Sequence, residues 1–88
     1  MIRVKKGDVV KIVSEEKARE ISYQLYGTEE PAFKIIENAR LLNVNLFNEV
    51  VTVLEVSEKE GVKVSKFNWI DTNLIDQDYI CSTYGKEL

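Results

Sequence analysis

The chain has 88 residues, of which 44% are hydrophobic and 31% are charged, so it holds one small globular domain and is not an intrinsically disordered chain. The formal net charge of −3 argues against a protein whose main task is to grip nucleic-acid phosphates. A single cysteine and the lack of an apolar leader or membrane-length apolar run predict a cytoplasmic protein that does not enter a membrane.

The first predicted elements are a short strand and a helix. Val and Ile dominate Asp8–Val13, which predicts a strand. Ser14 stands where a helix N-cap belongs, and Glu15 and Glu16 suit the positive end of the helix dipole. Gly27 is a natural helix stop. The apolar side chains at helical spacing, and so the predicted buried face, are Ala18, Ile21, Leu25 and Tyr26.

The stretch "TEEPAFKIIENARLL" predicts a second helix, so the helical segment covers about residues 15–42. Thr28 is a candidate cap, and Pro31 falls in the first turn, where its missing N–H costs little. The spacing leaves two inward stripes open, one of Phe33, Ile36 and Ala39 and the other of Ala32, Ile35, Ala39 and Leu42.

After Asn48 the pattern changes to that of β-strands. "EVVTVLEVS" predicts a strand with Val51 and Val53 on one face and Val50, Thr52, Leu54 and Val56 on the other. "SEKEG" predicts a hairpin loop, "VKVSKFNW" a returning strand, "IDTNLI" a 3₁₀ turn and "QDYICSTY" a last strand. Strand, helices and strands in this order predict a single α+β domain over residues 1–88. Closing the strands into a small barrel would remove the exposed edges.

Three short motifs resemble the small SH3-like β-barrel proteins of phage and prophage genomes, which are similar to the mind-bomb repeat modules of ubiquitin ligases. The matching residues are Gly7 and Asp8 at the entry, Val50, Thr52, Val53 and Val56 in the second strand, and Trp69, Leu74, Ile75 and Asp76 at the close. The resemblance implies a barrel of about five strands. The one or two helices inserted after the first strand depart from the family, in which many members have a loop there, so no binding site is carried over from that loop. Asn48 stands where the family has glycine, and asparagine tolerates the left-handed backbone of such a turn. The resemblance implies binding and no chemistry.

Catalysis and metal binding lack their usual residues. Without histidine, neither a Ser–His–Asp nor a Cys–His arrangement exists, and one cysteine cannot build a zinc site. Cys81 is interpreted as a small buried apolar residue. Asp71, Asp76 and Asp78 are read as caps and solubilising acids, and "DTNLIDQD" fails as a calcium loop because Ile75 and Asp76 take the places of an oxygen ligand and glycine. The sequence predicts no enzyme, no metal and no cofactor.

Protein binding is the favoured interpretation. Acidic side chains on the inserted helices suit electrostatic capture of a basic site, and Trp and Tyr are common in interface hot spots. Trp69 is at least as well suited to plug the core or rim of the barrel as to contact a partner. If the chain is phage-encoded, it would act in the host cytoplasm, as an inhibitor of a host nucleic-acid enzyme or defence complex. The candidate partner-binding residues are Glu15, Glu16, Glu20, Tyr23, Tyr26, Glu29, Glu30, Phe67 and Trp69.

Two alternatives stay open. The first is a nucleic-acid-associated barrel that uses the basic first strand, with Arg3, Lys5, Lys6 and Lys11 as its candidate contacts. The second is a self-assembling structural module, because small barrels with open edges readily pair. The chain is accordingly expected as a monomer or a small homo-oligomer.

Overall fold

Four short antiparallel strands and two helices form the part of the chain, residues 4–76, that a computed structural model describes. In chain order they are β1 (Val9–Lys11), α1 (Glu15–Tyr26), α2 (Glu30–Leu41), β2 (Val50–Ser57), β3 (Gly61–Val64) and β4 (Trp69–Ile70), followed by a 3₁₀ turn at Thr72–Leu74. Both helices lie between the first two strands, as the sequence predicts. The α+β class is therefore confirmed.

The ends of α1 follow the predicted signals. The Ser14 hydroxyl accepts a hydrogen bond from the Lys17 amide at 3.1 Å, and Gly27 ends the helix in the left-handed region with φ 73°. The predicted buried face is only partly right. Ala18 is buried, but Leu25 is 51% exposed, and Ser22 is buried in its place. The Ser22 hydroxyl tolerates burial because it donates to the Thr28 carbonyl at 2.9 Å.

The second helix starts later than its predicted cap. Thr28 Oγ1 accepts a hydrogen bond from the Glu30 amide at 3.2 Å, but the residue at the N-cap position is Glu29, whose side chain makes no capping bond. Pro31 lies in the first turn, as predicted. The buried residues of α2 combine members of the two predicted stripes and are Ala32, Ile36 and Ala39.

The sheet keeps chain order in space, β1-β2-β3-β4, with every pair antiparallel. Val51 and Val53 of β2 point into the core while Val50 and Leu54 are exposed, which confirms the two predicted faces. A register shift between Val53 and Glu55 marks a bulge, which bends β2 and increases its twist. The predicted hairpin loop is confirmed between Ser57 and Gly61.

Two apolar clusters hold the elements together. The smaller one joins the helices to the 3₁₀ turn through Ala18, Ala32 and Leu74. The larger one lies under the sheet and contains Val10, Ile12, Ala39, Leu46, Val51, Val53, Val62, Val64, Ile70 and Ile75. Full burial of each aliphatic side chain contributes about 1.5–3 kcal/mol, so this cluster accounts for most of the stability.

The chain returns to β1 after the 3₁₀ turn. Ile75 bridges Ile12 in antiparallel fashion, and the Asp76 amide donates to the Lys11 carbonyl at 2.8 Å. Within residues 4–76 the sheet is nevertheless open, with four strands and no ladder from β4 to β1, so the predicted SH3-like barrel is not confirmed. The predicted last strand, at residues 77–84, lies outside the described residues, as do Cys81 and Asp78.

Asn48 adopts the backbone conformation that the sequence predicts for it. Its φ is 65°, in the left-handed region, and its amide donates to the Ile12 carbonyl at 3.0 Å. Because asparagine visits this region more readily than most residues, the turn into β2 forms without glycine.

Candidate protein-binding surface

An apolar groove lies where the end of α2 meets the turn between β3 and β4. Leu41 is 77% exposed and Leu42 is 61% exposed, because Ile36 and Ala39 use the inward face of the helix and the helix ends at Leu41. The groove has a volume of about 360 Å³. Its lining residues are Ile35, Asn38, Leu41, Leu42, Phe67, Asn68 and Trp69.

The aromatic wall of this groove comes from the strand pair β3–β4. Trp69 lies opposite Lys63, whereas its neighbour Ile70 lies opposite the buried Val62. Because successive side chains of a strand point to opposite faces, Trp69 is directed away from the core. Trp69 is half-buried, and Phe67 packs against the edge of the larger cluster. Trp69 is thus a rim residue that lines the groove.

A polar cleft of about 520 Å³ adjoins the groove. Ile35 and Trp69 line both concavities, so the two share a wall. The tip of the β2–β3 hairpin supplies Glu58, Lys59 and Glu60 to the cleft. The remaining lining residues are Tyr26, Gly61, Ile70, Asp71, Thr72 and Asn73.

Side-chain hydrogen bonds fix the walls of this polar cleft. The Ser57 hydroxyl accepts from the amides of Lys59 and Glu60, both at 3.2 Å, and so holds the hairpin tip. Tyr26 donates its hydroxyl to Asp71 Oδ2 at 2.6 Å, and Asp71 Oδ1 accepts from the Asn73 amide at 2.9 Å. The tyrosine bond ties the end of α1 to the segment after β4.

The hydrogen bond to Asp71, together with the negative charge of that carboxylate and partial burial, raises the pKa of Tyr26. A raised pKa stabilises the protonated phenol. Tyr26 therefore acts as a hydrogen-bond donor at neutral pH and is poorly suited to act as a general base.

A second concavity, of about 470 Å³, lies on the outer side of α1. In its wall, Arg19 Nε lies 2.7 Å from Glu29 Oε1, and the Arg19 guanidinium also stacks over the Phe33 ring at 5.2 Å. The hydrogen bond and charge of Glu29 raise the pKa of Arg19. The acidic surface predicted on α1 therefore already holds its own cation. The residues lining the concavity are Glu16, Arg19, Glu20, Tyr23, Gln24 and Glu29.

Comparison with protein-family models, with curated proteins and with solved structures finds no match for this chain. The resemblance to SH3-like barrels therefore stays a prediction. Within residues 4–76 no helix has the length and apolarity to cross a bilayer. In the same part of the chain, no three acidic or thiol side chains lie close enough to hold a metal ion.

The nine predicted partner-binding residues are distributed over several surfaces. Glu16, Glu20, Tyr23 and Glu29 meet in the concavity on α1, while Phe67 and Trp69 lie in the apolar groove. Tyr26 lines the polar cleft. Glu15 pairs with Arg40 at 3.3 Å, an ion pair between the two antiparallel helices, and Glu30 is exposed at the start of α2.

The structure adds residues that the sequence analysis missed. Leu41 had a usable signal, because it lies outside both predicted inward stripes of α2, whereas Leu42 was predicted to face inward and is 61% exposed instead. Glu58 and Glu60 had no signal in the sequence, because only the tertiary fold brings the hairpin tip next to Trp69.

The basic residues of the nucleic-acid alternative are spread along the first strand. Lys5 and Lys6 are exposed in the turn before β1, where the Lys5 amide donates to Asp8 Oδ2 at 3.0 Å. Lys11 is half-buried in β1, opposite Val50. Arg3 lies outside the described residues.

Proposed function

We propose that this chain is a non-catalytic protein-binding module whose partner occupies the groove at the end of α2. The observation that carries the proposal is the exposure of Leu41, 77%, and Leu42, 61%, next to the half-buried Trp69. Large apolar side chains exposed together form the kind of patch that marks an interaction site, and their burial by a partner is favourable. Tryptophan is also enriched in interface hot spots.

The groove has walls whose backbone is held in place before any partner arrives. α2 is anchored by Ile36 and Ala39, and β4 is anchored by Ile70 in its pairing with β3. A partner therefore need not order a loop in order to bind, which lowers the entropic cost of association.

We further propose that the domain is a small SH3-like barrel. Support comes from the isolated antiparallel bridge between Ile12 and Ile75, which joins the residue after β1 to the segment after the 3₁₀ turn. The amide of Val13 also donates to the Leu74 carbonyl at 2.9 Å, which holds the 3₁₀ turn beside the segment that follows β1. Edge closure would protect β1 from pairing with other chains.

A module of this kind acts by occupying a surface of its partner. The inhibitory role against a host nucleic-acid enzyme or defence complex remains a prediction of the resemblance to phage proteins. Blocking a surface requires affinity and shape, and it needs no catalytic residue.

The test compares the wild-type chain with two variants as affinity baits in a bacterial lysate, with and without nuclease. The groove variant is Leu41→Ser with Leu42→Ser. The control is Leu25→Ser, which removes a leucine of 51% exposure from α1. We expect the wild type and the control to capture one protein in stoichiometric amount. The groove variant should not capture it, and nuclease treatment should not remove it. The captured protein is then purified, and direct binding is measured by calorimetry.

Other outcomes would assign another function. Retention that nuclease abolishes, and that a Lys5, Lys6 and Lys11 to Glu variant loses, would establish the nucleic-acid alternative. Sedimentation that shows a concentration-dependent dimer, lost in the groove variant, would establish self-assembly. A captured protein that binds the groove variant as tightly as the wild type would refute the proposed surface.

A further inference from the structure

We infer that the partner presents a cationic side chain beside its apolar anchor, an inference that rests on the proposed function. The apolar anchor, of leucine or aromatic size, fills the groove at Leu41 and Leu42. The lysine or arginine enters the polar cleft on the other side of Trp69. The two concavities are adjacent because they share Ile35 and Trp69, so one short segment of the partner spans both.

The charge of the polar cleft selects for a cation. Of the charged residues that line it, Glu58, Glu60 and Asp71 are acidic and Lys59 is basic. Lys63, which lies opposite Trp69 in the strand pair, does not line the cleft. Two of these carboxylates stand on the hairpin tip that Ser57 holds. An anionic partner group would meet an excess of negative charge there, whereas a cation gains electrostatic complementarity.

Trp69 adds a second reason for a cation. The indole is half-buried and forms the wall between groove and cleft. A guanidinium or ammonium group within about 6 Å of an aromatic face is attracted by the ring quadrupole. Arginine is expected to bind better than lysine, because its planar group stacks on the ring and still donates to carboxylates.

The protein already uses this arrangement once, within itself. On α1 the guanidinium of Arg19 lies over the Phe33 ring at 5.2 Å and binds Glu29 at 2.7 Å. That concavity therefore contains its cation. The cleft beside Trp69 offers the same kinds of group, an aromatic ring and carboxylates, to a cation that the partner brings.

The probe is a displayed library of random dodecapeptides, selected against the immobilised full chain. Selected peptides are synthesised, and their affinity is measured by calorimetry. We expect enriched sequences that carry Arg or Lys close to Leu, Phe or Trp. Glu58→Gln with Glu60→Gln should weaken binding about five- to tenfold, and Lys59→Gln should strengthen it about two- to threefold. All three positions are exposed on a turn, so thermal melts of these variants should match the wild type.

The Glu58 and Glu60 substitutions should weaken peptide binding, whereas the Lys59 substitution should strengthen it. These opposite effects distinguish a change of charge from a change of loop shape, because a disturbed loop would weaken binding in both variants. Two results would overturn the cationic inference and leave the proposed groove intact. The first is a set of peptides that lack cations but bind only when Leu41 and Leu42 are present. The second is a set of peptides whose affinity does not change when Glu58 and Glu60 are substituted. Cationic peptides that lose affinity in a Glu16→Gln, Glu20→Gln variant instead would also overturn it. Selection of no groove-dependent peptide would count against both the inference and the proposed surface.

Discussion

Gly61 offers the sharpest test of the packing around the polar cleft. It begins β3 with φ at +98°, and a β-carbon there would overlap the carbonyl oxygen of Ile70 in the neighbouring strand. The carbonyl carbon of Ile70 would lie at 3.2 Å from the same β-carbon. Because both obstacles are backbone atoms, no side chain can rotate away to relieve the contact.

The expected cost of Gly61→Ala has two parts. A non-glycine residue at positive φ costs about 1–2 kcal/mol. Forcing an atom into a filled space costs about another 1–3 kcal/mol, so the free energy of unfolding should fall by about 2–5 kcal/mol. For a domain of this size, each kcal/mol lowers Tm by about 4–8 °C, which predicts a fall of roughly 8–40 °C.

The matched control is Gly7→Ala. Gly7 has a nearly identical φ of +95°, but no heavy atom lies within 4 Å of the position its β-carbon would take. The free energy of unfolding of Gly7→Ala should therefore fall only by the cost of a non-glycine residue at positive φ, about 1–2 kcal/mol. Urea unfolding, followed by far-UV circular dichroism, measures both variants. Equal losses in the two variants would refute the close approach of β3 and β4 at Gly61.

Three further predictions concern the core, a turn and a titration. Ile12→Ala should lower the free energy of unfolding by about 2–5 kcal/mol in urea titration, because the side chain is fully buried and leaves a cavity; a loss below about 1 kcal/mol would contradict its place in the core. Lys66→Gly should raise Tm by a few degrees in calorimetry, because Lys66 has φ 70°, a conformation that costs L-residues about 1–2 kcal/mol; a lower Tm would contradict that geometry. Tyr26 should ionise above its ordinary pKa of about 10, because the bond to Asp71 favours the phenol. A folded-state pKa above the unfolded one gives stability that is complete below about pH 10 and is lost as pH rises through the folded value. The absorbance titration of Tyr26→Phe should therefore lack one tyrosine transition that the wild type shows above about pH 10, and an unchanged titration curve would contradict the bond.

Local sequence signals predicted the helices well and the buried faces less well. Ser14 and Gly27 mark the two ends of α1 because capping depends on atoms within a few residues. The buried face of α1 depends on what packs against it, and so Ser22 replaces Leu25. The Ser22 hydroxyl can be buried at little cost because it donates a hydrogen bond to the Thr28 carbonyl.

Part of the candidate site was predictable in the same way. Trp69 and Phe67 stood out in the sequence, and both line the groove. The acidic side chains of α1 also stood out, yet Arg19 lines the same concavity and pairs with Glu29. Sequence spacing could not show this compensation, because Glu29 comes from the loop before α2 and approaches Arg19 only when the helices pack.

By itself the sequence determined the α+β order, the ends of α1 and the alternating faces of β2, because caps and side-chain periodicity act within a few residues. The tertiary structure decided where the partner surface lies. Leu41 and Leu42 are far from Trp69 in the chain, and Glu58 is far from Tyr26, so none of these pairs has a local signature. They become neighbours because α2 must bury Ile36 and Ala39, and β4 must bury Ile70. When those three side chains are buried, the groove and the cleft are left on the solvent-facing surface of α2 and the β3–β4 pair.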